Sequence, residues 1–166
     1  MESARIGAID WDEFFMGAAS LASQRSKDPV KQVGAVIVNK YNRILSTGYN
    51  GMPAGFENAP WGKGNQDILA NKQTYVVHAE SNAICNWYNR VTNAGYKIYV
   101  TLYPCNECAK LIIQSGIKEV IYANEPKNWK DNYVASQHMF MSVGIKTRKY
   151  KGRREMNINI FSFFAA

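Results

Sequence analysis

The chain has 166 residues, of which 46% are hydrophobic, with three cysteines and a formal net charge of +7. We expect one domain over residues 1–166 with a single core. No apolar run approaches the roughly 20 residues of a membrane span, the first ten residues do not resemble a secretory signal, and three cysteines do not make a disulfide framework. These features argue against membrane-embedded and disulfide-stapled proteins and indicate a cytoplasmic protein. The positive charge indicates an anionic partner, which leaves a nucleotide, RNA or DNA open.

The first half of the chain predicts a helix, a hairpin and a long loop. A D-x-x-E capping-box pattern at residues 10–13 precedes apolar residues at helical spacing, which predicts a helix over 11–24. Two mostly apolar runs at 33–38 and 44–49, separated by a turn, predict an antiparallel hairpin. Residues 50–74 are rich in Gly, Pro and Asn and have no clear period, and loops of this length are usually functional or disordered.

Strands alternate with helices in the second half of the chain. The expected elements are a helix from His78 through Trp87, a strand over 97–103, a helix over 105–115, a strand over 118–123, a helix over 132–143 and a strand over 145–150. This alternation predicts parallel strand pairing with helices on both faces of the sheet. The expected fold class is therefore α/β, a three-layer α/β/α domain around a five-stranded mixed sheet, with residues 151–166 as a tail or edge strand.

Two short segments, 78–80 (HAE) and 104–108 (PCNEC), contain the residue types of a catalytic zinc site. Such sites use three protein ligands and leave one position for water. His78, Cys105 and Cys108 supply three ligands of the kinds that zinc prefers. The two cysteines are three positions apart at the start of a predicted helix, so they share one face, and the helix dipole there favours thiolates.

Glu80 suggests what the metal is for. It stands two positions after His78, where it can lie beside a metal-bound water without being a ligand. Zinc lowers the pKa of such a water towards neutrality, and a carboxylate next to it can take up the proton and deliver it to N3 and the leaving amine of a cytosine. H-x-E followed by P-C-x-x-C is the signature of zinc-dependent deaminases, so the pattern predicts hydrolytic deamination.

A purely structural zinc site is the alternative interpretation, and it requires a fourth ligand. Cys85 and His138 are the only remaining Cys or His residues. Cys85 falls among apolar positions of the second predicted helix and is expected to be a small core residue. His138 lies in a separate helical segment and is expected to be a surface or packing residue.

From about Trp11 to Tyr150 the chain resembles the deoxycytidylate (dCMP) deaminase family, within the cytidine deaminase-like superfamily. The matching segments are 24–29 (QRSKDP), 33–35 (VGA), 48–53 (GYNGMP), 78–80 with 82–84 (HAE and NAI), 104–114 (PCNECAKLIIQ) and 116–119 (GIKE). The resemblance implies a cytidine-deaminase-like fold and conversion of dCMP to dUMP for thymidylate synthesis. It also implies one zinc ion on His78, Cys105 and Cys108, with Glu80 as proton shuttle.

The resemblance also implies substrate contacts. Asn50 is expected to contact the sugar, although an Asn at this Gly-flanked position could serve only the turn. Ala79, between two site residues, is expected to contact the substrate. A short polar stretch after the first helix offers charge and hydroxyl groups for the 5′-phosphate, the alternative being a solvated helix end. The residues of this stretch are Arg25, Ser26 and Lys27.

The family often places a tyrosine near the nucleobase, in the loop after the strand at 118–123. Here that region offers Trp129 and Tyr133. Either ring could stack on the base, and either could be an ordinary packing aromatic.

Members of the family commonly form hexamers that dCTP activates and dTTP inhibits. The corresponding effector residues here are Gly48, Asn50, Gly51 and Met52, followed by the loop over 54–75. Magnesium is expected only as a companion of the triphosphate effector. Residues 51–77 contain no Cys or His, so we expect one zinc per subunit.

Two functions from other classes stay open at this point. A deaminase of single-stranded DNA or RNA would share the zinc chemistry but needs a basic groove with stacking aromatics. The dense basic run, 146–154, lies far along the chain from the site segments, so we expect no nucleic acid partner. A catalytically silent, zinc-stabilised nucleotide sensor is the other, and it would have no use for Glu80.

Overall fold

Five strands and four helices make up the regular structure of the computed structural model, which describes residues 4–62, 67–88 and 95–152. In chain order these are α1 (Trp11–Ser23), β1 (Gly34–Val38), β2 (Ile44–Tyr49), α2 (Ala79–Cys85), β3 (Lys97–Leu102), α3 (Asn106–Gln114), β4 (Glu119–Asn124), α4 (Asp131–Ser142) and β5 (Lys146–Lys149). Two single-turn 3₁₀ helices, at 68–70 and 72–74, lie in the segment that was expected to be an irregular loop.

The strands form one mixed sheet in the order β2-β1-β3-β4-β5. β1 pairs antiparallel with β2 and with β3, whereas β3, β4 and β5 run parallel to one another. The predicted hairpin and the predicted five-stranded mixed sheet are both confirmed. Because β3 and β4 are parallel, the carboxyl end of β3 lies beside that of β4, and the segment Tyr103–Cys108 leaves the sheet at that edge.

Alternating side chains on the central strands face two separate cores. On β1, Ala35 and Ile37 join the larger core, whereas Val36 and Val38 join the smaller one. The larger core packs the sheet against α2, α3 and α4. The smaller core packs it against α1 through Phe15, which is completely buried. The predicted three-layer α/β/α arrangement is therefore confirmed, with three helices on one face and one on the other.

Local signals set the start of α1. The Asp10 carboxylate accepts a hydrogen bond from the Glu13 amide at 2.8 Å, and the Glu13 carboxylate accepts one from the Asp10 amide at 2.9 Å. This reciprocal pair is the capping box that the sequence predicted.

Two expectations need correction or fall outside the described residues. The second helix ends at Cys85 instead of continuing to Trp87, and Cys85 is exposed there, so the prediction that it is a core residue is wrong. The expected tail or edge strand beyond residue 152 lies outside the described residues. Among the described helices, none is long and apolar enough to cross a bilayer.

Candidate metal centre and adjacent cavities

Three metal-ligating side chains meet where two helices begin. His78 is the N-cap of α2 and Cys105 is the N-cap of α3, while Cys108 lies in the first turn of α3. The Nδ1 atom of His78 lies 3.3 Å from Sγ of Cys108 and 3.5 Å from Sγ of Cys105. All three ligand atoms lie within 4.8 Å of one another.

These distances fit a tetrahedral zinc ion. With Zn–S bonds of about 2.3 Å and a Zn–N bond of about 2.0 Å, tetrahedral angles place nitrogen and sulfur ligands about 3.5 Å apart. Both nitrogen–sulfur distances observed here are close to that value. Within the described residues this is the only group of three or more His, Cys, Asp or Glu side chains arranged to hold a metal ion. The donor set has three members, which leaves a fourth position for a small molecule.

The electrostatics of the site favour a thiolate. A hydrogen bond from the Cys108 thiol lowers the pKa of Cys105, and hydrogen bonding to His78 acts in the same direction. The shared hydrogen bond and burial raise the pKa of Cys108. The hydrogen bond to Cys105 also raises the pKa of His78, to about 9. Since metal binding needs deprotonated sulfur, a site that already stabilises one thiolate is suited to a cation.

Glu80 is the carboxylate of this site. It lies in the first turn of α2, is only 4% exposed, and lines the same cavity as His78 and Cys105. Burial raises the pKa of its carboxyl group, while the charge of His78 lowers it. A buried carboxyl beside a metal site is placed to accept and return protons at a reacting group.

His78, Cys105 and Glu80 line a cavity of about 360 Å³. Of the predicted substrate contacts, this cavity is lined by Asn50, Ala79 and Tyr133. Burial raises the pKa of the Tyr133 hydroxyl, and the negative charges of Cys105 and Glu80 add to the effect. Trp129 does not line the cavity; it is 42% exposed and packs at 5.1 Å from the Tyr103 ring, which does line it.

Asn50 holds the adjacent segment of backbone. Its side-chain oxygen accepts a hydrogen bond from the Val33 amide at 2.8 Å. Its side-chain nitrogen donates to the Lys31 carbonyl at 3.0 Å and to the Asp28 carboxylate at 3.3 Å. The Asn50 amide therefore already has partners on both of its polar atoms, and any contact with a sugar would have to share them.

A buried ion pair in the cavity wall was not predicted from the sequence. Lys72 Nζ lies 2.5 Å and 2.6 Å from the two carboxylate oxygens of Asp28, and the two side chains are 8% and 4% exposed. Burial raises the pKa of Asp28, but the hydrogen bonds from Lys72, Val30 and Lys31 outweigh it and lower the pKa overall. Lys72 lies 44 positions after Asp28, in the loop without a period, so no local pattern could have paired them.

Arg25 and Lys27 line a second cavity, of about 340 Å³, and not the one that contains the metal site. The predicted effector residues Gly48, Gly51 and Met52 line this second cavity with them. Ser26 lines neither of the two; its hydroxyl donates to the Asn50 carbonyl at 2.8 Å. The structure thus separates the predicted phosphate contacts from the metal centre and groups two of them with the predicted effector contacts.

Helix α2 forms part of the wall of both cavities. Its first turn contributes Ala79 and Glu80 to the first cavity, and Asn82 and Asn86 line the second. Asn82 donates a 2.8 Å hydrogen bond to a main-chain carbonyl of β2. A Cβ atom on Gly48 of β2 would lie 2.3 Å from the main chain of α2, so glycine allows the helix and the strand to touch.

Comparison with known proteins places this chain in a family. The sequence model of the cytidine and deoxycytidylate deaminase zinc-binding region matches residues 9–124. Deoxycytidylate deaminase of Homo sapiens is 48% identical over 144 residues, which cover 86% of this chain and 80% of the relative. Probable deoxycytidylate deaminase of Drosophila melanogaster is 47% identical over 149 residues, covering 86% of this chain and 73% of the relative.

The fold agrees with these sequence relations. The crystal structure of dCMP deaminase from the cyanophage S-TIM5, in complex with dCMP and dUMP, matches with a TM-score of 0.66 and 31% identity, covering 83% of this chain and 95% of the phage chain. The family match spans residues 78–80 and 104–108, the two segments that contain His78, Glu80, Cys105 and Cys108. The chain therefore belongs to the cytidine and deoxycytidylate deaminase family.

Proposed function

We propose that this protein hydrolyses dCMP to dUMP and ammonia, as a hydrolase acting on a cyclic amidine C–N bond. The observation that carries the proposal is the buried Glu80 carboxyl beside the His78, Cys105 and Cys108 triad; Glu80, His78 and Cys105 line a cavity of about 360 Å³. The human relative is a deoxycytidylate deaminase, and the phage structure contains dCMP and dUMP, which supports the same substrate here.

The residues of the chain divide the chemistry between them. His78, Cys105 and Cys108 hold the zinc ion, which when bound makes a water molecule nucleophilic near neutral pH. Glu80 takes one proton from the attacking water and gives it to N3 of the ring. It then takes the second proton from the same oxygen and gives it to the amino group, which leaves C4 as ammonia. Water thereby replaces the exocyclic amino group, and cytosine becomes uracil.

Other residues of the cavity hold the nucleotide. Tyr133 and Tyr103 line it and supply aromatic surface for the base, with Trp129 supporting them from outside. Asn50 and Ala79 are the proposed contacts for the sugar and the base. The product dUMP would feed thymidylate synthesis, and three free cysteines suit the reducing cytoplasm in which we place the enzyme.

A competition assay tests the substrate. Zinc-loaded protein is offered dCMP, dCTP, deoxycytidine and a short cytosine-containing single strand together, and each uracil product is quantified. We expect dUMP to dominate, because the described part of the metal-site cavity is a pocket suited to one nucleotide. Dominant uracil within the strand would overturn the substrate assignment, and no product at all would favour the silent sensor.

We further propose that the second cavity binds the regulators dCTP and dTTP. Gly48, Gly51 and Met52 line it, and the cations Arg25 and Lys27 suit a triphosphate, with magnesium as its companion. We assign these two cations to the effector instead of the substrate because they lie on this cavity. Asn50 would act there only indirectly, through the main-chain segment that leads to Gly51.

We also propose that the protein forms a homo-oligomer, a hexamer as in the family it resembles. On α1, Trp11 and Phe14 leave 56% and 44% of their surface exposed, which is apolar surface that a subunit contact would cover.

The proposed effector site predicts how dCTP and dTTP change the saturation curve for dCMP. With the wild-type protein, dCTP should lower and dTTP should raise the dCMP concentration at half-saturation. The double variant Arg25→Gln with Lys27→Gln should raise the effector concentrations needed by about tenfold or more, because charge-assisted hydrogen bonds to phosphate are lost. Arg43→Gln, an exposed arginine in the β1–β2 turn, is the matched control. A wild-type saturation curve that ignores both nucleotides would contradict the regulatory proposal.

A further inference from the structure

We infer that Lys31 recognises the 5′-phosphate of the substrate and so sets the preference for a nucleoside monophosphate over a nucleoside. The inference rests on the proposed dCMP deaminase function and names a specificity residue for it. Lys31 lines the cavity that contains His78 and Glu80, so a nucleotide with its base at the metal centre shares this cavity with the lysine.

The charges in the cavity wall single out this lysine. The described lining of the cavity contains two lysines, Lys31 and Lys72. Lys72 is buried and bound to both carboxylate oxygens of Asp28, so its charge is neutralised within the wall. Lys31 is exposed and makes no ion pair with any residue in the described ranges. Lys31 is therefore the lysine with its charge free for a ligand.

The main chain at Lys31 is fixed although its side chain is exposed. Its amide donates to the Asp28 carboxylate at 3.2 Å, and its carbonyl accepts from the Asn50 side chain at 3.0 Å. The amides of Val30 and Val33 bind the same two side chains, each at 2.8 Å. Asp28 and Asn50 are themselves buried. A cation on an anchored segment loses only side-chain freedom when it binds, which favours recognition by a single residue.

Arg25 and Lys27 are the other candidates for binding the 5′-phosphate, but both lie away from the metal-site cavity. Arg25 and Lys27 come just before this segment in the chain but line the other cavity, together with Glu57. For either of them to hold the substrate phosphate, a nucleotide would have to reach from one cavity into the other. Lys31 can contact the phosphate of a nucleotide that stays within the metal-site cavity.

The test compares kcat/KM for dCMP with kcat/KM for deoxycytidine, which lacks the phosphate and serves as the internal reference. Lys31→Gln should lower the dCMP-to-deoxycytidine ratio by about tenfold or more, because it removes one charged contact to a dianion. Lys31→Glu should lower it further by repulsion, and Lys31→Arg should restore most of it. The loss should fall on KM for dCMP more than on kcat, since the phosphate takes no part in the bond changes.

Lys118→Gln is the matched control. Lys118 is exposed at the amino-terminal end of β4, whereas Cys105 and Cys108 follow the carboxyl end of the parallel strand β3. The variant therefore removes the same charge without touching the cavity. The ratio should stay at the wild-type value. If Lys31→Gln and Lys31→Glu both keep the wild-type ratio, the inference is overturned. It is also overturned if Arg25→Gln or Lys27→Gln lowers the dCMP-to-deoxycytidine ratio as much as is expected for Lys31→Gln. Failure of the wild-type protein to deaminate dCMP would instead overturn the proposed function itself.

Discussion

Glu80→Gln should lower kcat for dCMP by about two to four orders of magnitude while leaving one zinc ion bound per subunit. The amide keeps the size and polarity of the side chain but cannot take up the proton of the attacking water. The ligand atoms of His78, Cys105 and Cys108 are not altered, so the metal content should stay the same. Turnover of dCMP and zinc per subunit are measured on the same preparation, so that a loss of metal is not mistaken for a loss of proton transfer.

Glu107→Gln is the control for this change. Glu107 lies between the two cysteine ligands in sequence, but its side chain is 68% exposed and pairs with Lys110 on the surface of α3. Removing its charge should leave turnover close to the wild-type value. Activity that survives in Glu80→Gln would show that another group moves the protons, and the mechanism proposed above would then be wrong.

Cys108→Ser should abolish both zinc binding and deamination. Cys108 is 1% exposed and its sulfur lies 3.3 Å from Nδ1 of His78, so it faces the metal position from inside the protein. A serine hydroxyl is a poor substitute for a thiolate as a zinc ligand, because it is harder and stays protonated near neutral pH. Zinc per subunit is measured after dialysis against a weak chelator, alongside turnover of dCMP.

Cys85→Ser is the control for Cys108→Ser. Cys85 is exposed at the end of α2 and is not part of the metal-binding cluster, so Cys85→Ser should keep both zinc and activity. Circular dichroism of both variants shows whether the fold survives. A folded Cys108→Ser protein with a full complement of zinc would exclude the ligand set of His78, Cys105 and Cys108.

The convergence of His78, Cys105 and Cys108 could be predicted because it depends on local spacing. The three side chains lie at the beginnings of two helices, where the position of the first residue and a three-residue interval determine which side chains converge. The sheet could be predicted for a related reason: the two apolar runs at 33–38 and 44–49 indicate a hairpin, and the alternation of strands and helices after residue 97 implies parallel pairing.

The parts that sequence analysis missed depend on contacts between distant segments. Lys72 and Asp28 are 44 positions apart, and no periodicity relates them. Arg25 and Lys31 are only six positions apart, yet they line different cavities, and Asn50, just after β2, holds the chain between them through Ser26 and at Lys31. Cys85 was assigned to the core because it falls among apolar positions of the second predicted helix; α2 ends at this residue, and the side chain is exposed.

The shared wall formed by α2 has a thermodynamic consequence. The helix has seven residues, with Glu80 at its second position in one cavity and Asn82 at its fourth position in the other. Any ligand of the second cavity that changes dCMP affinity by a given factor must have its own affinity changed by dCMP by that same factor. Effector dissociation constants should therefore depend on how much substrate is present. A titration without substrate would therefore underestimate the affinity of an activator for the substrate-bound protein and overestimate that of an inhibitor.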